Sequence, residues 1–330
     1  MENSNRSLQA LSISCVMPAY NEARNLPKVV PAVLQALMAL APQVELILVN
    51  DGSRDDTVHV VRDLCTQWPQ LVLLDLSRNF GKEAALTAGL EAAKGQVVVI
   101  MDGDGQHPPD LLAAMVDKWR QGIDVVYAVR RTREDQSALH GWLTSWFYRL
   151  INWGGRVEIP AHAGDFRLMD RCAVDALNAL PERNRFMKGL YAWVGFPSVA
   201  VDYEPLPRQV GQSHFGLSGA FSLALTGMLA FSTVPLRLMA FVGLLLSVSA
   251  LGYGLWVVAD YMLWGVGVPG YATIVVSLMF FSGLQLLSLG VMAEYVGRIY
   301  DEVKRRPVYI LKQRLGAGLT APTPRPGALV

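Results

Sequence analysis

Two acidic side chains lie one residue apart at the end of an apolar run. Asp102 and Asp104 follow the letters VVVIM, in a short segment that ends at Gln106. Two carboxylates in this position suit a hard divalent cation that also holds diphosphate oxygens, which predicts a site for Mg²⁺ or Mn²⁺. A solvated Asp-Gly turn explains the same residues, because Asp and Gly dominate turns for local reasons. The motif alone leaves both interpretations open.

A third carboxylate follows an earlier apolar run. Asp51 lies in the segment VNDGSRDDT, where it could accept hydrogen bonds from the base or ribose of a nucleotide. A local explanation exists as well, because Ser53 with Asp56 three residues later resembles a capping box at the start of a helix. The two interpretations are compatible.

Two cationic segments are candidates for anion binding. Lys82 directly precedes a predicted helix, whose free N–H groups favour an anion, although a simple helix entry explains the segment equally well. Arg130, Arg131 and Arg133 follow the fifth predicted strand. Guanidinium groups bind phosphate bidentately, so this run could hold an acceptor phosphate. A solvated charge run is the alternative.

The elements that must position these side chains form a regular alternation. Short β-branched runs alternate with helical patterns from Ile13 to about Tyr127. This rhythm predicts an α/β fold with a mostly parallel sheet covered on both faces. The polar segments at residues 18–22, 50–53 and 102–106 all follow strands, and ligands of such sheets bind at the carboxyl ends of strands. We therefore expect a single binding rim.

The second half of the chain has a different composition. No Asp, Glu, Lys or Arg lies between Arg208 and Arg237, and the whole chain is 52% hydrophobic with 17% charged residues. Leu236–Ala259 and Tyr271–Ala293 each approach the roughly 20 residues that cross a bilayer core. Both are predicted to span a membrane.

The remaining apolar stretch is predicted to lie in the membrane interface. Ser218, Ser222 and Thr226 recur every four residues and form a polar stripe on a helix. The loop between the two spans has no Lys or Arg, whereas basic residues crowd residues 298–306, which predicts that both termini are cytoplasmic. A bacterial inner membrane is the expected location. Glycines in the spans permit close helix packing, so a homo-oligomer is plausible. These are Gly243, Gly252, Gly254, Gly283 and Gly290.

The predicted organisation has five parts. They are a cytoplasmic catalytic domain at 1–210, an interfacial amphipathic helix at 211–235, a two-span hairpin at 236–293, a cytoplasmic juxtamembrane segment at 294–315 and a disordered tail at 316–330. A net charge of +1 argues against a nucleic-acid binder. The N-terminus lacks the apolar core of a signal peptide. Cys15, Cys65 and Cys172 show no metal-ligand pattern and are predicted to be buried thiols, and the histidines show no zinc-ligand spacing.

With these residues in view, the chain resembles the glycosyltransferases that include dolichyl-phosphate mannose synthase and the bacterial polyisoprenyl-phosphate glycosyltransferases. The resemblance runs nearly from end to end. Its motifs are VMPAYNE, VNDGSRDDT, LSRNFGKEAAL, DGDGQHPP, GDFRLMDR, RNRFMKGLYAWVGF and GVMAEYVGRIYDEVKRRPVYIL. The closing motif is the most specific, because soluble relatives of the same family lack it.

The resemblance implies a GT-A fold and assigns roles to individual residues. Nucleotide binding falls to Pro18, Tyr20, Glu22, Asp51, Lys82, Asp102 and Gln106. Asp102 and Asp104 would hold the metal, and Asp165 and Arg167 would lie close to the reacting sugar. The acceptor phosphate would contact Arg130, Arg131, Arg133, Arg208 and Ser213. Relatives often place a charged residue beside this serine, whereas Gln212 and His214 flank it here.

The implied reaction is an inverting transfer of one sugar from a nucleotide-sugar to polyprenyl phosphate, either undecaprenyl or dolichyl, at the cytoplasmic face. UDP-glucose is the first expectation for the donor, ahead of an amino-arabinose derivative or mannose. A processive polysaccharide synthase is an alternative, although its Gln-x-x-Arg-Trp element is absent from the sequence. A non-enzymatic nucleotide-sugar sensor is a second alternative.

Overall fold

The computed structural model describes residues 11–130, 163–206, 234–264 and 270–319. The chain alternates strands and helices and then continues into two long helices. In order, the elements are β1 (Ser12–Ala19), α1 (Leu26–Leu40), β2 (Gln43–Asn50), α2 (Thr57–Gln67), β3 (Leu71–Leu76), α3 (Lys82–Ala92), β4 (Val97–Ile100), α4 (Leu111–Arg120), β5 (Val125–Arg130), β6 (Ala163–Asp170), α5 (Arg171–Asn178), α6 (Met187–Trp193), β7 (Ser198–Tyr203), α7 (Val234–Trp264), α8 (Tyr271–Lys304) and β8 (Leu311–Leu315).

One sheet of eight strands organises the α/β domain, in the order β7-β5-β6-β4-β1-β2-β3-β8. Strands β1 to β4 run parallel, as does the β5–β7 pair, whereas β6 and β8 are antiparallel to their neighbours. The strands β1, β3 and β4 are buried along their whole length, which explains their nearly continuous apolar sequences. The predicted mostly parallel sheet with helices on both faces is confirmed.

The core forms two layers, one on each face of the sheet. One layer contains side chains from α1, α2 and α4, and the other contains side chains from α3, α5 and α6. Trp119 is fully buried in the first layer, where its indole N–H donates to Asp170 at 2.7 Å. Because Asp170 also accepts the backbone N–H of Cys172 at the start of α5, it joins the two layers across β6.

Two local expectations are wrong. Ser53 and Asp56 form no capping box, because Asp56 makes no side-chain cap and the Ser53 hydroxyl accepts the backbone N–H of Asn21 instead. The hydroxyl thus joins the loops after β1 and β2. Cys172 is exposed rather than buried, because it lies in the first turn of α5 on the side away from the core, whereas Cys15 is buried as expected.

Helices α7 and α8 are both long and apolar enough to cross a membrane, judged by length and composition. Their large apolar side chains are mostly exposed, so the rest of the described chain does not cover them. Both run further than the predicted spans, with 31 residues in α7 and 34 in α8. Helix α8 continues past Ala293 until Arg305, which adopts the left-handed conformation and ends it.

The chain after α8 returns to the sheet. Strand β8 pairs with β3 and forms the edge of the sheet, so part of the predicted juxtamembrane segment belongs to the α/β domain. The expectation of a disordered tail from residue 316 is wrong for 316–319, because the N–H of Leu319 donates to buried Glu45 at 2.8 Å. Gly316 has a positive φ of 87°, and a Cβ there would collide with the carbonyl of Leu71. Of the predicted interfacial helix at 211–235, residues 211–233 lie outside the described part of the chain, and the last two belong to α7.

Candidate active site

Three parallel strands deliver polar residues to one rim of the sheet. Strands β2, β1 and β4 are neighbours, and their carboxyl ends lead to Asp51, to residues 20–22 and to Asp102 respectively. Antiparallel β6 adds Asp165 near its beginning, at the same rim. The predicted single rim is therefore confirmed in its geometry.

Lys82 is the centre of this rim. Its ammonium nitrogen lies 2.6 Å from a carboxylate oxygen of Asp102 and 2.7 Å from one of Asp165. Burial lowers the pKa of Lys82, but the two carboxylates more than offset this and hold it above its ordinary value. Burial likewise raises the pKa of Asp165, and the nearby Lys82 and Lys188 bring it below its ordinary range. Lys82 and Asp165 are therefore both charged at neutral pH.

The loop that carries Asp102 and Asp104 is held by its own hydrogen bonds. A carboxylate oxygen of Asp104 accepts the N–H of Gln106 at 3.1 Å, and Nδ1 of His107 accepts the N–H of Asp102 at 3.2 Å. His107 is buried and stacks on Phe166 with the ring centroids 4.7 Å apart. Burial lowers the pKa of His107, so its imidazole is neutral, as the accepting Nδ1 requires. No sequence pattern indicates this role for His107.

The rim suits a cation that is shared with a substrate. The described residues hold no cluster of three or more His, Cys, Asp or Glu side chains that could enclose a metal ion. Asp102 and Asp104 supply two carboxylates, and Mg²⁺ is commonly bound by one or two carboxylates together with substrate phosphates and water. These residues fit a metal whose remaining ligands come from a diphosphate.

Asp51 is buried and held by backbone donors. Its two carboxylate oxygens accept the N–H groups of Phe80 and Gly81 at 2.7 and 3.0 Å. Burial raises the pKa of Asp51, and these two hydrogen bonds oppose the rise. The N-terminus of α3, which was a candidate for binding an external anion, thus receives this carboxylate. Contact between Asp51 and a nucleotide stays a prediction.

The other predicted nucleotide ligands lie around the same rim. Pro18 is in β1, Tyr20 is exposed, and Glu22 accepts the side-chain N–H of Asn25 at 2.6 Å. Because the backbone N–H of Glu22 donates to Thr57, the loop after β1 is joined to the start of α2. Their binding of nucleotide remains a prediction.

Arg130 reaches toward the carboxylate loop from β5. Its guanidinium donates to the Tyr203 hydroxyl at 3.2 Å and to the Gln106 side chain at 3.3 Å. This places a fixed positive charge beside the loop of Asp102 and Asp104. The other predicted acceptor-phosphate residues lie outside the described part of the chain. They are Arg131, Arg133, Arg208 and Ser213.

Arg167 lies behind the rim. Its side chain is buried, its guanidinium carbon is 3.5 Å from the centroid of the Tyr191 ring, and it donates to the carbonyl of Gly164 at 2.7 Å. Burial lowers the pKa of Arg167 and raises that of Tyr191. From this position the positive charge of Arg167 helps to lower the pKa of Asp165 and so keeps that carboxylate ionised. Contact of Arg167 with a sugar stays a prediction.

Glu83 is a site residue that the sequence analysis missed. It follows Lys82 in α3, and its carboxylate accepts the backbone N–H of Met187 at 3.2 Å, at the start of α6. Burial raises its pKa to about 7, and the negative charge of Asp165 adds to the rise. Only the position of α6 against α3 reveals this, because Met187 lies far away along the sequence.

The raised pKa of Glu83 predicts a pH-dependent stability. A carboxyl whose pKa rises on folding stabilises the fold below its ordinary pKa, and this contribution is lost as the pH rises through about 7. Glu83→Gln removes the titration, so the variant should gain stability over wild type from pH 5 to pH 8, by up to about 3 kcal/mol. Denaturant unfolding at several pH values measures this.

The control for Glu83 is Glu204→Gln, which changes an exposed carboxyl of the same domain. It removes one carboxyl group without changing the contact between α3 and α6, so it shows how much of any stability change comes from the loss of a carboxyl alone. A Glu83→Gln difference that is flat across this range would contradict the raised pKa.

Comparison with known proteins agrees with this geometry. Residues 14–177 match the family model described as glycosyl transferase family 2. An uncharacterized glycosyltransferase from Synechocystis sp. is 42% identical over 306 residues, which cover 93% of this chain and 96% of that protein. The chain belongs to glycosyl transferase family 2. It is a glycosyltransferase, and the resemblance seen in the sequence is confirmed.

A second relative from the family has a more specific name. The SfII prophage-derived bactoprenol glucosyl transferase of Shigella flexneri is 40% identical over 303 residues, covering 92% of this chain and 98% of that protein. Among solved structures, the mannosyltransferase PcManGT from Pyrobaculum calidifontis, in complex with GDP-Man and Mn²⁺, shows 18% identity and a TM-score of 0.48 over 90% of this chain and 88% of that one. The family and the sheet described above give the catalytic domain a GT-A-like fold.

Proposed function

We propose that this glycosyltransferase moves glucose from a nucleotide-sugar, with UDP-glucose as the first expectation, to polyprenyl phosphate at the cytoplasmic face of a membrane. The observation that carries the proposal is the extent of the likeness to a bactoprenol glucosyl transferase. At 40% identity over 92% of this chain, it includes both the carboxylate rim and the two long apolar helices. A lipid acceptor gives these helices a function in addition to anchoring.

The chemistry follows from the charges of the two substrates. A phosphate monoester is largely dianionic at neutral pH, so the acceptor oxygen can attack without a strong general base. Its attack on the anomeric carbon forms a new C–O bond as the bond to the donor diphosphate breaks, and the configuration inverts. The leaving nucleoside diphosphate takes the electron pair.

The protein must bring two phosphate-bearing substrates together against their mutual repulsion. Lys82 and Arg130 place positive charge around the carboxylate loop, where it can stabilise the departing diphosphate. A divalent cation on Asp102 and Asp104 would add charge neutralisation of the same kind when bound. Asp165, which forms an ion pair with Lys82, would orient the reacting sugar.

The proposal is tested by incubating membranes that contain the protein with radiolabelled nucleotide-sugars and undecaprenyl or dolichyl phosphate. UDP-glucose should give a lipid that carries a single sugar, and membranes without the protein should give none. A polymeric product would indicate a processive synthase. Binding of the donor without any lipid-linked product would indicate a sensor. Labelling from a mannose or amino-arabinose donor alone would correct the sugar.

We propose three further features of this protein. They are the cytoplasmic location of the termini, the choice of Mg²⁺ or Mn²⁺, and self-association through the glycines of α7 and α8. A Cβ built on Gly252 or Gly283 would meet no atom within 4 Å, so these positions are open to a second helix. Cross-linking in detergent that yields only monomer would exclude self-association.

A further inference from the structure

The end of α8 contacts a loop of the catalytic domain. One carboxylate oxygen of Glu302 accepts the backbone N–H groups of Arg183 and Asn184 at 2.9 and 3.0 Å, and the other lies 3.2 Å from the N–H of Arg183. Both donors belong to the loop of residues 179–186, which joins α5 to α6. Hydrogen bonds from N–H groups to a carboxylate are stronger than those between neutral groups. This contact therefore holds the loop against the helix.

Glu302 lies beyond the apolar part of the helix. At 1.5 Å per residue it is about 13 Å past Ala293, the last residue of the predicted span. The helix is continuous from Tyr271 to Lys304, so the contact lies on the same rigid element as the membrane-crossing segment. The guanidinium of Arg183 also donates to the carbonyl of Arg306, directly after this helix.

The 179–186 loop leads directly into the site. Helix α6 begins at Met187, whose N–H donates to Glu83, next to Lys82 in α3. One turn later, the ring of Tyr191 packs against the guanidinium of Arg167 at 3.5 Å, behind Asp165. The loop held by Glu302 thus sets the position of α6. This helix contacts Glu83, next to Lys82, and Arg167, behind Asp165.

The segment after α8 makes a second contact, with helix α3 of the site. The hydroxyl of Tyr309 donates to Glu91 at 2.6 Å, in the last turn of α3, the helix that begins with Lys82. Residues 302–309 thus contact both α3 and the loop before α6. Because these two helices carry or support Lys82, Glu83 and Arg167, their relative position is fixed from the membrane side.

We infer that Glu302 is a positioning residue for sugar transfer, which acts by holding α6 and thereby Glu83 and Arg167 behind the catalytic rim. The inference rests on the proposed function, since it concerns the rate of that reaction. Glu302 contacts neither substrate nor the rim itself, so its loss should lower the rate of the chemical step and leave the affinity for the donor largely unchanged.

The test is Glu302→Gln in the full-length protein in membranes. The substitution keeps the size of the side chain but removes the charge that the two N–H groups share. We expect kcat for lipid-linked product to fall about tenfold, because small misplacements of catalytic groups cost up to about a hundredfold. The KM for UDP-glucose should change less than twofold. Hydrogen exchange of the amides of residues 183–187 should become faster.

Asp301→Asn is the matched control, since it removes the same charge from the neighbouring, exposed position of the same helix. It should leave kcat and amide exchange as in wild type. Glu302→Asp keeps the charge on a shorter side chain, so its kcat should fall between those of wild type and Glu302→Gln. This variant also serves if the glutamine variant does not accumulate.

Two results would overturn the inference. One is a Glu302→Gln protein with wild-type kcat and unchanged exchange at residues 183–187. The other is a variant with a lower melting temperature whose kcat per folded molecule equals that of wild type, which would make the contact merely structural. If wild type itself transfers no sugar to polyprenyl phosphate, the proposed function fails. The contact is then still tested by hydrogen exchange, which should be faster at residues 183–187 in Glu302→Gln than in wild type.

Discussion

Asp104→Ala is expected to lower sugar transfer by about a thousandfold. The carboxylate lies two residues from Asp102 on the loop after β4, and its oxygen also accepts the N–H of Gln106. Removing it takes away one of two carboxylates that fit a divalent cation. A metal that neutralises a leaving diphosphate stabilises the transition state by several kcal/mol, and about 4 kcal/mol corresponds to this loss of rate.

The measurement combines activity with binding. Transfer from UDP-glucose is assayed across a range of Mg²⁺ and Mn²⁺ concentrations, and the affinity for UDP is measured with and without the metal. Wild type should bind UDP more tightly in the presence of the metal, and Asp104→Ala should lose most of this difference. Asp110→Ala is the control, because it removes an exposed carboxylate from the same loop. The Asp110 side chain forms no capping hydrogen bond at the start of α4. Normal turnover by Asp104→Ala would refute the metal role.

The arrangement of the rim is predictable from the sequence because it depends on local patterns. Apolar strands of four to eight residues, each followed by a polar segment, indicate parallel strands whose carboxyl ends meet. Asp102 and Asp104 lie next to each other along the chain, so their pairing needs no knowledge of tertiary structure. The two apolar spans are visible for the same reason.

The contacts that complete the site depend on tertiary structure. Lys82 and Asp165 are distant along the chain and meet only because antiparallel β6 lies beside β4. Burial and the nearby Asp165 raise the pKa of Glu83, whose carboxylate accepts the N–H of Met187 in α6, and no local pattern indicates these contacts. His107 lacks metal-ligand spacing, yet it orients the carboxylate loop through its packing on Phe166.

The end of α8 and the segment after it were also not predicted from local sequence patterns. The sequence of residues 294–304 is polar on one side and still helical, so α8 extends beyond its apolar part. Residues 311–319 are ordered because β8 pairs with the outer backbone groups of β3, and because buried Glu45 accepts the N–H of Leu319. Short polar segments like this one gain structure from a partner rather than from their own propensity.

Lys82→Met is expected to lower transfer by at least about a hundredfold, the loss typical of removing one group that stabilises charge in the transition state. The ammonium lies between the carboxylates of Asp102 and Asp165 at 2.6 and 2.7 Å. Methionine has similar length but no charge. Without the cation, the two carboxylates lose their shared partner, and the donor diphosphate loses a positive charge beside it.

The pH dependence separates this role from a simple loss of folding. In wild type, Lys82 is the main cause that keeps the pKa of Asp165 below its ordinary range against the effect of burial. In Lys82→Met, burial is opposed less, so the pKa of Asp165 should rise and the carboxyl should take up a proton as the pH falls. If ionised Asp165 is required, the residual activity of the variant should decrease from pH 8 to pH 5 more steeply than that of wild type.

Two further variants decide how the result is interpreted. Lys82→Arg keeps the charge, so it should retain more activity than Lys82→Met and should show the pH profile of wild type. Lys118→Met removes an exposed lysine from α4 and should be fully active. A Lys82→Met protein whose pH profile matches wild type would mean that Asp165 keeps its charge without the ammonium. The ion pairs that join the two carboxylates through Lys82 would then not contribute to catalysis.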